Sequence, residues 1–227
     1  IVDLRPLAPS NASLRSVLAP AGLTAQVGRD LLQFGTFEDA DVDELTLETA
    51  RWDVTGSYSY PCLSEAWRGA VALCLRGTGG QRSATAVALR NRVRVMGDAT
   101  DTPIKDLTLF GYMQLRDAGA ITIRADYSPS EGSADLGSEV AFTSPGGTAA
   151  WAPFEAALHM PADVEPTGPT TNPRAVRIFL RAEAPTAEQA MARFDDLAII
   201  GWEDAVDLTG ATPLATPHAR DFVRLQA

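Results

Sequence analysis

From Leu31 onward the chain is a succession of short apolar and β-branched runs that alternate at period two, each closed by a cluster of Gly, Pro, Asp or Ser. Successive side chains on a strand point to opposite faces, so each run can bury one face and solvate the other. The clearest runs are 69–76, 84–95, 106–116, 120–128, 151–158, 175–183 and 191–202. Helical spacing is nearly absent, confined to a short stretch at 12–18 that Ser10 or Asn11 would cap. Seven or more strands of this kind predict an all-β fold, a two-sheet antiparallel β-sandwich.

The connections carry turn chemistry. Gly77-Thr78-Gly79-Gly80, Asp117-Ala118-Gly119, Ser144-Pro145-Gly146-Gly147 and the Pro-rich 166–173 stretch each interrupt the alternation. Taken as a three-residue hairpin turn, Asp117–Gly119 pairs Leu115 with Ile121, Met113 with Ile123, Gly111 with Ala125 and Leu109 with Tyr127, a core face. The opposite face then sets Gln114 beside Thr122, Tyr112 beside Arg124 and Phe110 beside Asp126.

At 227 residues the chain is long enough for one large sandwich with a buried core. Residues 1–27, with Pro6, Pro9 and Pro20, read as an N-terminal arm, 28–204 as the sandwich, and 205–227 as a C-terminal extension that packs on it or leads to a further domain. A net charge of -10 and no basic segment interleaved with aromatics argue against nucleic acid as a partner. The longest apolar stretch, Leu197–Ile200, is far below the ~20 residues of a membrane span, so membrane insertion is not expected. Ile1 in place of an initiator Met suggests a trimmed chain.

Cys62 and Cys74 are the whole cysteine inventory, and a disulfide between them would contribute about 3 kcal/mol and imply an oxidising, extracellular compartment. The alternative is two unrelated buried thiols. Asn11-Ala12-Ser13 forms a glycosylation sequon of little weight. In Phe194-Asp195-Asp196-Leu197 two adjacent carboxylates sit inside an apolar run, so one of them must point inward or to a sheet edge. A buried carboxylate costs several kcal/mol unless it is paired or holds a metal.

Phe37-Glu38, Trp52, Trp67 to Leu73, Leu107 to Arg116, Trp151 to Phe154 and Phe194 to Leu197 follow one another in a recognisable order. The series resembles the calcium-containing jelly-roll carbohydrate-binding modules of the galactose-binding-domain-like superfamily, over roughly residues 31–202. The resemblance implies a jelly roll with a structural Ca²⁺ held by Glu38, by the carbonyl of Arg68 or a neighbour, and by Asp195, all hard oxygen ligands. The alternative is an Asp195 that accepts backbone hydrogen bonds and a solvated Glu38.

Sugar recognition needs an aromatic platform flanked by planar polar groups. Tyr112, Arg124, Gln114, Asp126 and Phe110, with Thr122, supply that mixture on the face assigned above, unless the face is merely half covered by neighbouring segments. Arg90, Arg92 and Arg94 share one strand face, as do Arg177, Phe179 and Arg181, and such stripes either grip anionic sugars or stand solvated beside local carboxylates. Tyr58, Tyr60 and Trp67 offer a loop-borne alternative, whereas Trp52, Trp151 and Trp202 begin or end apolar runs and read as structural.

Nothing proposes catalysis. His159 and His218 stand near prolines without a nucleophile motif, and no phosphate loop or metal-ligand His pair occurs. Tyr112, Arg124 and Gln114 partly echo the polysaccharide lyases built on jelly rolls, but the sheet lacks a His. The expectation is a noncatalytic module binding a polysaccharide or other glycan in a secreted or cell-surface protein. The competing reading is a structural or adhesive sandwich that contacts proteins and binds no sugar.

Overall fold

The computed structural model describes residues 1–3, 24–32, 35–38, 53–55, 59–63, 65–76, 87–95, 106–128, 137–159, 174–183, 190–202 and 222–226. The short helix expected at 12–18, the sequon, Trp52, Tyr58, His218 and the 77–80 and 166–173 turns lie outside the described residues. Thirteen strands are β1 (Val2–Asp3), β2 (Thr24–Asp30), β3 (Asp53–Thr55), β4 (Ser59–Leu63), β5 (Val71–Arg76), β6 (Val87–Val95), β7 (Leu107–Ala118), β8 (Ile121–Ser128), β9 (Gly137–Ser144), β10 (Gly147–Leu158), β11 (Arg174–Ala182), β12 (Met191–Trp202) and β13 (Phe222–Gln226). They form an eight-stranded and a five-stranded sheet, every pairing antiparallel, in a jelly-roll sandwich. β1 and β13, from the segments assigned to the arm and the extension, are strands of the larger sheet.

β12 organises that sheet. One of its edges is taken by β7 along most of its length, and the other is shared, with β5 pairing Met191–Phe194 and β2 pairing Ile200–Trp202. All twelve of its residues are buried, as a central strand covered on both faces requires. The smaller sheet runs β3-β6-β11-β8-β9.

The core lies between the sheets. Leu107, Leu109, Leu115, Phe194, Leu197 and Ile199 from one sheet meet Ile121, Ile123, Ala125, Tyr127, Val176, Ile178 and Leu180 from the other. Inward residues recur at every second position of β7, β8 and β11, so the period-two reading selects the buried set correctly.

The hairpin between β7 and β8 does not form. β7 pairs β10 and β12, while β8 pairs β9 and β11, so the 118–121 connection carries the chain from one sheet to the other. The predicted partners Leu115 and Ile121, or Leu109 and Tyr127, belong to opposing inner faces of the two sheets. Both strands have an apolar face, and a hairpin and a sheet-to-sheet crossing bury the same residues. Period two alone therefore cannot separate them.

Asp195 and Asp196 are accommodated by a bulge. The β12 register against β7 shifts between Asp195 and Ala198, and Asp196 adopts φ 48°. The extra residue lets Leu197 enter the core, and both carboxylates are buried on the stretch of β12 left open between β5 and β2, the edge position that the sequence allowed. The Leu197 amide donates to the Gly35 carbonyl at 2.9 Å, and a side chain at position 35 would run into the Leu197 carbonyl. Gly35→Ala is therefore expected to cost about 3 kcal/mol, an overpacking penalty against backbone that cannot move aside. A thermal melt checks this, and an unchanged midpoint would contradict it.

Cys62 and Cys74 form a disulfide, with Cα atoms 5.7 Å apart. Their strands pair so that Cys62 lies opposite Ala72 and Tyr60 opposite Cys74, making the bridge a diagonal one across β4 and β5. Both cysteines are buried, against Met191 of β12.

Candidate functional site

The two strands that carry the predicted ligand residues lie in different sheets, so the structure divides that set. Arg124 and Asp126 are on the outer face of the five-stranded sheet, and Phe110, Tyr112 and Gln114 are on the outer face of the eight-stranded one. Tyr112 and Arg124 are not neighbours. The reason is the crossing at 118–121, which turns lateral partners into residues on opposite sides of the molecule.

On the five-stranded face β11 runs between β6 and β8, so its outward residues meet those of β8. Phe179 lies opposite Arg124, Arg177 opposite Asp126, and Arg181 opposite Thr122. The Arg124 guanidinium lies over the Phe179 ring, 4.2 Å from its centroid, and that of Arg177 is 4.9 Å away. Asp126 fixes both. Its Oδ1 is 2.9 Å from Arg124 Nε, and its Oδ2 accepts from Arg124 Nη2 at 3.0 Å and from Arg177 Nη2 at 3.4 Å. Arg124 therefore holds Asp126 through one charge-assisted hydrogen bond, from Nη2, with Nε in ion-pair contact beside it. Asp126 is buried, whereas the Arg124 side chain remains 47% exposed.

The row continues on both sides. Val140 of β9, 58% exposed, lies opposite Arg124, and the β6 register sets Arg90 opposite Phe179, Arg92 opposite Arg177 and Arg94 opposite Ala175. The two stripes read separately from sequence are thus adjacent strands of one sheet. Phe179 and Arg177 are the site residues that the hairpin assumption left apart from Arg124, although their period-two spacing was visible. Val140 carried no signal, because a Val in a strand is as well suited to the core as to the surface.

The other outer face is aromatic. Tyr112 stacks on Trp67 at 4.6 Å and 18°, Trp151 lies 6.5 Å from Trp67, and Phe110 meets both Tyr112 and Phe222 edge-on at 5.6 Å. Trp67 is 42% exposed. Gln114 accepts from Arg193, which also pairs with Glu65. Trp202 is structural, as expected, with its indole N–H donating to Thr108 Oγ1 at 2.9 Å and Arg224 over its ring. Trp151, also expected to be structural, is half-buried beside Trp67. Tyr60, read from sequence as a loop aromatic, stands instead on β4, opposite Cys74.

Glu38, Arg68 and Asp195 meet where the neighbour of β12 changes from β5 to β2. Phe37 adopts φ 60°, an uncommon conformation for a bulky residue, which buries its ring in the core as Glu38 reaches the loop before β5. Glu38 accepts from the Ala70 amide at 3.0 and 3.1 Å and from the Val71 amide at 2.9 Å. Gly69, just before them, has φ 74°, the left-handed turn that presents these amides, and it passes so close to Glu38 that a side chain there would collide. Asp195 accepts from the Arg68 amide at 3.0 Å and the Asp196 amide at 2.7 Å. The Arg68 guanidinium closes the junction against Asp196 at 2.8 Å and Asp3 at 3.2 Å.

Burial pushes the Asp195 carboxyl up to about 6, with the neighbouring Asp196 charge adding to the rise and the amides of Arg68, Asp196 and Trp67 opposing it. The donor chemistry here is all hard oxygen, which suits Ca²⁺ and not a thiolate- or imidazole-seeking metal. Among the described residues no three His, Cys, Asp or Glu side chains gather to hold a metal. An ion here would take Glu38 and Asp195 together with backbone and water oxygens.

Tyr127 is buried in the core with its hydroxyl held by Glu139, which also accepts from the His159 amide at 2.6 Å and contacts the exposed His159 ring at 3.1 Å. Burial, and then Glu139, drive the phenol well above the usual tyrosine range. A phenol so placed is a poor proton-transfer group. No helix among the described residues is long and apolar enough to cross a membrane.

No protein-family model matches the chain, and no curated protein matches it. Solved structures do. The enzymatically active domain of tailspike protein 4 from bacteriophage CBA120 superposes with a TM-score of 0.50 at 7% identity, over 77% of this chain and 21% of that one. TmCBM61, solved in complex with beta-1,4-galactotriose, gives 0.46 at 14% identity, over 75% and 97%. The CBM22-1 xylan-binding domain of Xyn10C from Paenibacillus barcinonensis gives 0.45 at 13%, over 78% and 97%. The tailspike superposition is a likeness of fold.

Proposed function

We propose that this chain is a noncatalytic glycan-binding module of an extracellular protein, and that its site is the outer face of the five-stranded sheet. The observation that carries the reading is the Phe179 ring with the Arg124 and Arg177 guanidiniums against it, both tied to the buried Asp126. An aromatic ring and fixed planar donors on a rigid sheet are what a sugar ring and its hydroxyls require. Tyr112, Gln114 and Phe110 leave this site, and Phe179, Arg177 and Val140 join Arg124 and Asp126. The disulfide supports an oxidising compartment. Glu38 and Asp195 converge on 68–71 by accepting its backbone amides, which already ties the loop before β5 to β12; a structural Ca²⁺ held by the two carboxylates would have to draw them from those N–H donors.

A glycan array followed by titration calorimetry tests the site. Arg124→Ala and Phe179→Ala are each expected to weaken binding of any hit at least tenfold, roughly the loss of one charge-assisted hydrogen bond or stacking contact. Binding that survives both changes would remove the site from this face.

One observation favours the second reading, a module that contacts proteins: the Trp67, Tyr112 and Trp151 group, with Trp67 open to solvent on the opposite side of the sandwich. Aromatic side chains of this kind are typical anchors of protein interfaces. An array without a hit would favour this second reading.

A further inference from the structure

We infer that the five-stranded face takes carboxylate-bearing sugars, that is, acidic polysaccharides containing uronic acid units. The inference rests on the glycan-binding reading above and names its ligand class. The chain is acidic, with 19 Lys and Arg against 29 Asp and Glu. Its cations are nonetheless gathered. Six arginines, 90, 92, 94, 124, 177 and 181, fall on adjacent strands of one sheet, on alternate positions of β6 and β11 and at the centre of β8. Asp126 and, at the β3 edge opposite Arg90, Asp53 are the acidic residues at the matching register positions.

Arginine is the cation of this chain at 18 of 19 positions, Lys105 being the exception, so the face is distinguished by where its arginines stand and not by their type. Their chemistry suits a planar carboxylate, which the guanidinium fork binds through two parallel N–H donors. The face already binds one carboxylate, that of Asp126, by a hydrogen bond from Arg124 Nη2 to Oδ2 with Nε in ion-pair contact with Oδ1. Those contacts take two of the five N–H donors of a guanidinium and leave Arg124 half exposed with donors to spare. The ring of Phe179 holds it flat, so little side-chain entropy is lost on binding.

Repetition supplies the polymer. Alternate residues on a strand stand about 6.6 Å apart and neighbouring strands about 4.8 Å apart, so the arginine positions form a grid rather than a single pocket. Successive acidic units of one chain can then engage successive arginines, each after the first at high effective concentration. Neutral sugars would gain nothing from that grid. The overall negative charge repels polyanions that have no such match.

The test uses the intact chain and three polymers: polygalacturonate, the same polymer fully methyl-esterified, and polyglutamate. Binding is read by affinity electrophoresis and calorimetry. Saturable binding to polygalacturonate is expected, at least tenfold weaker after esterification, at least tenfold weaker between 50 and 500 mM salt, and at least tenfold weaker in Arg124→Ala, with partial recovery in Arg124→Lys. Equal binding to the esterified polymer would overturn the acidic assignment while leaving glycan binding intact. Equal binding to polyglutamate would overturn sugar recognition on this face. No binding to these polymers together with a neutral hit on the array would again sink only the acidic assignment, and a failure of every glycan would sink both readings.

Discussion

Alanine at position 195 is expected to lower the stability of this chain by about 3 kcal/mol at pH 5, because it strips the buried amides of Arg68 and Asp196 of their acceptor. The expected fall in the thermal midpoint is roughly 6–12 °C. Asn at the same position keeps an oxygen for one amide and lies between the two. The wild-type chain carries a second signature. Its Asp195 carboxyl is raised to about 6 from an ordinary 3.8, chiefly by burial, so the folded state holds this proton more tightly than the unfolded one. The contribution is therefore fully present below pH 4 and is lost as pH rises through 6. In chelator the loss amounts to about 3 kcal/mol across that window. Asp195→Asn removes the slope, and calcium, which favours the ionised carboxylate, should flatten it in the wild type. Urea midpoints at pH 4, 5, 6 and 7, with EDTA and with Ca²⁺, read all three effects. A slope that persists in Asp195→Asn would remove Asp195 as its source, and calcium-independent midpoints would remove the metal.

Reduction of Cys62–Cys74 is expected to have an effect of similar size on stability by another route. The bridge closes a short loop, and its constraint on the unfolded chain is worth about 3 kcal/mol. Chain refolded in reductant should unfold at a lower urea concentration by that amount with a nearly unchanged slope. Because both sulfurs are buried beside Met191, reductant added to the folded protein should act only as fast as β4 and β5 open. An equal midpoint for the reduced and oxidised chains would show that the β4–β5 pairing needs no staple.

What was legible in the sequence follows from what period two encodes. It marks which residues of β7, β8, β11 and β12 turn inward, and those residues form the core. It does not mark which strand lies beside which. The 117–119 turn supports a hairpin and a sheet crossing equally well, and choosing the hairpin placed Tyr112 beside Arg124 when the two lie on opposite outer faces. The same limit kept Phe179 apart from Arg124, since strand β11 reaches β8 only through the fold. The two carboxylates of β12 were recognised as a problem, but the bulge that resolves them depends on Gly35 and Arg68, more than a hundred residues away. The Glu38–Arg68–Asp195 convergence was legible because the ordered resemblance names positions and so bypasses the pairing question.

The divided edge of β12 also shapes how the sheet comes apart. β4 and β5, stapled together, hang on its first four residues, while β1, β13 and β2 hang on its last three, and among the described residues no hydrogen-bonded ladder joins the two groups directly. They are joined through β12 and through β7, which pairs it on both sides of the bulge, and on the divided edge itself through the loops that Glu38 and Asp195 hold. Loosening that junction would let the two halves exchange their amide hydrogens on separate timescales, the slow half being the one that carries the disulfide. On this edge of the eight-stranded sheet, a pair of carboxylates stands where a strand pairing is missing.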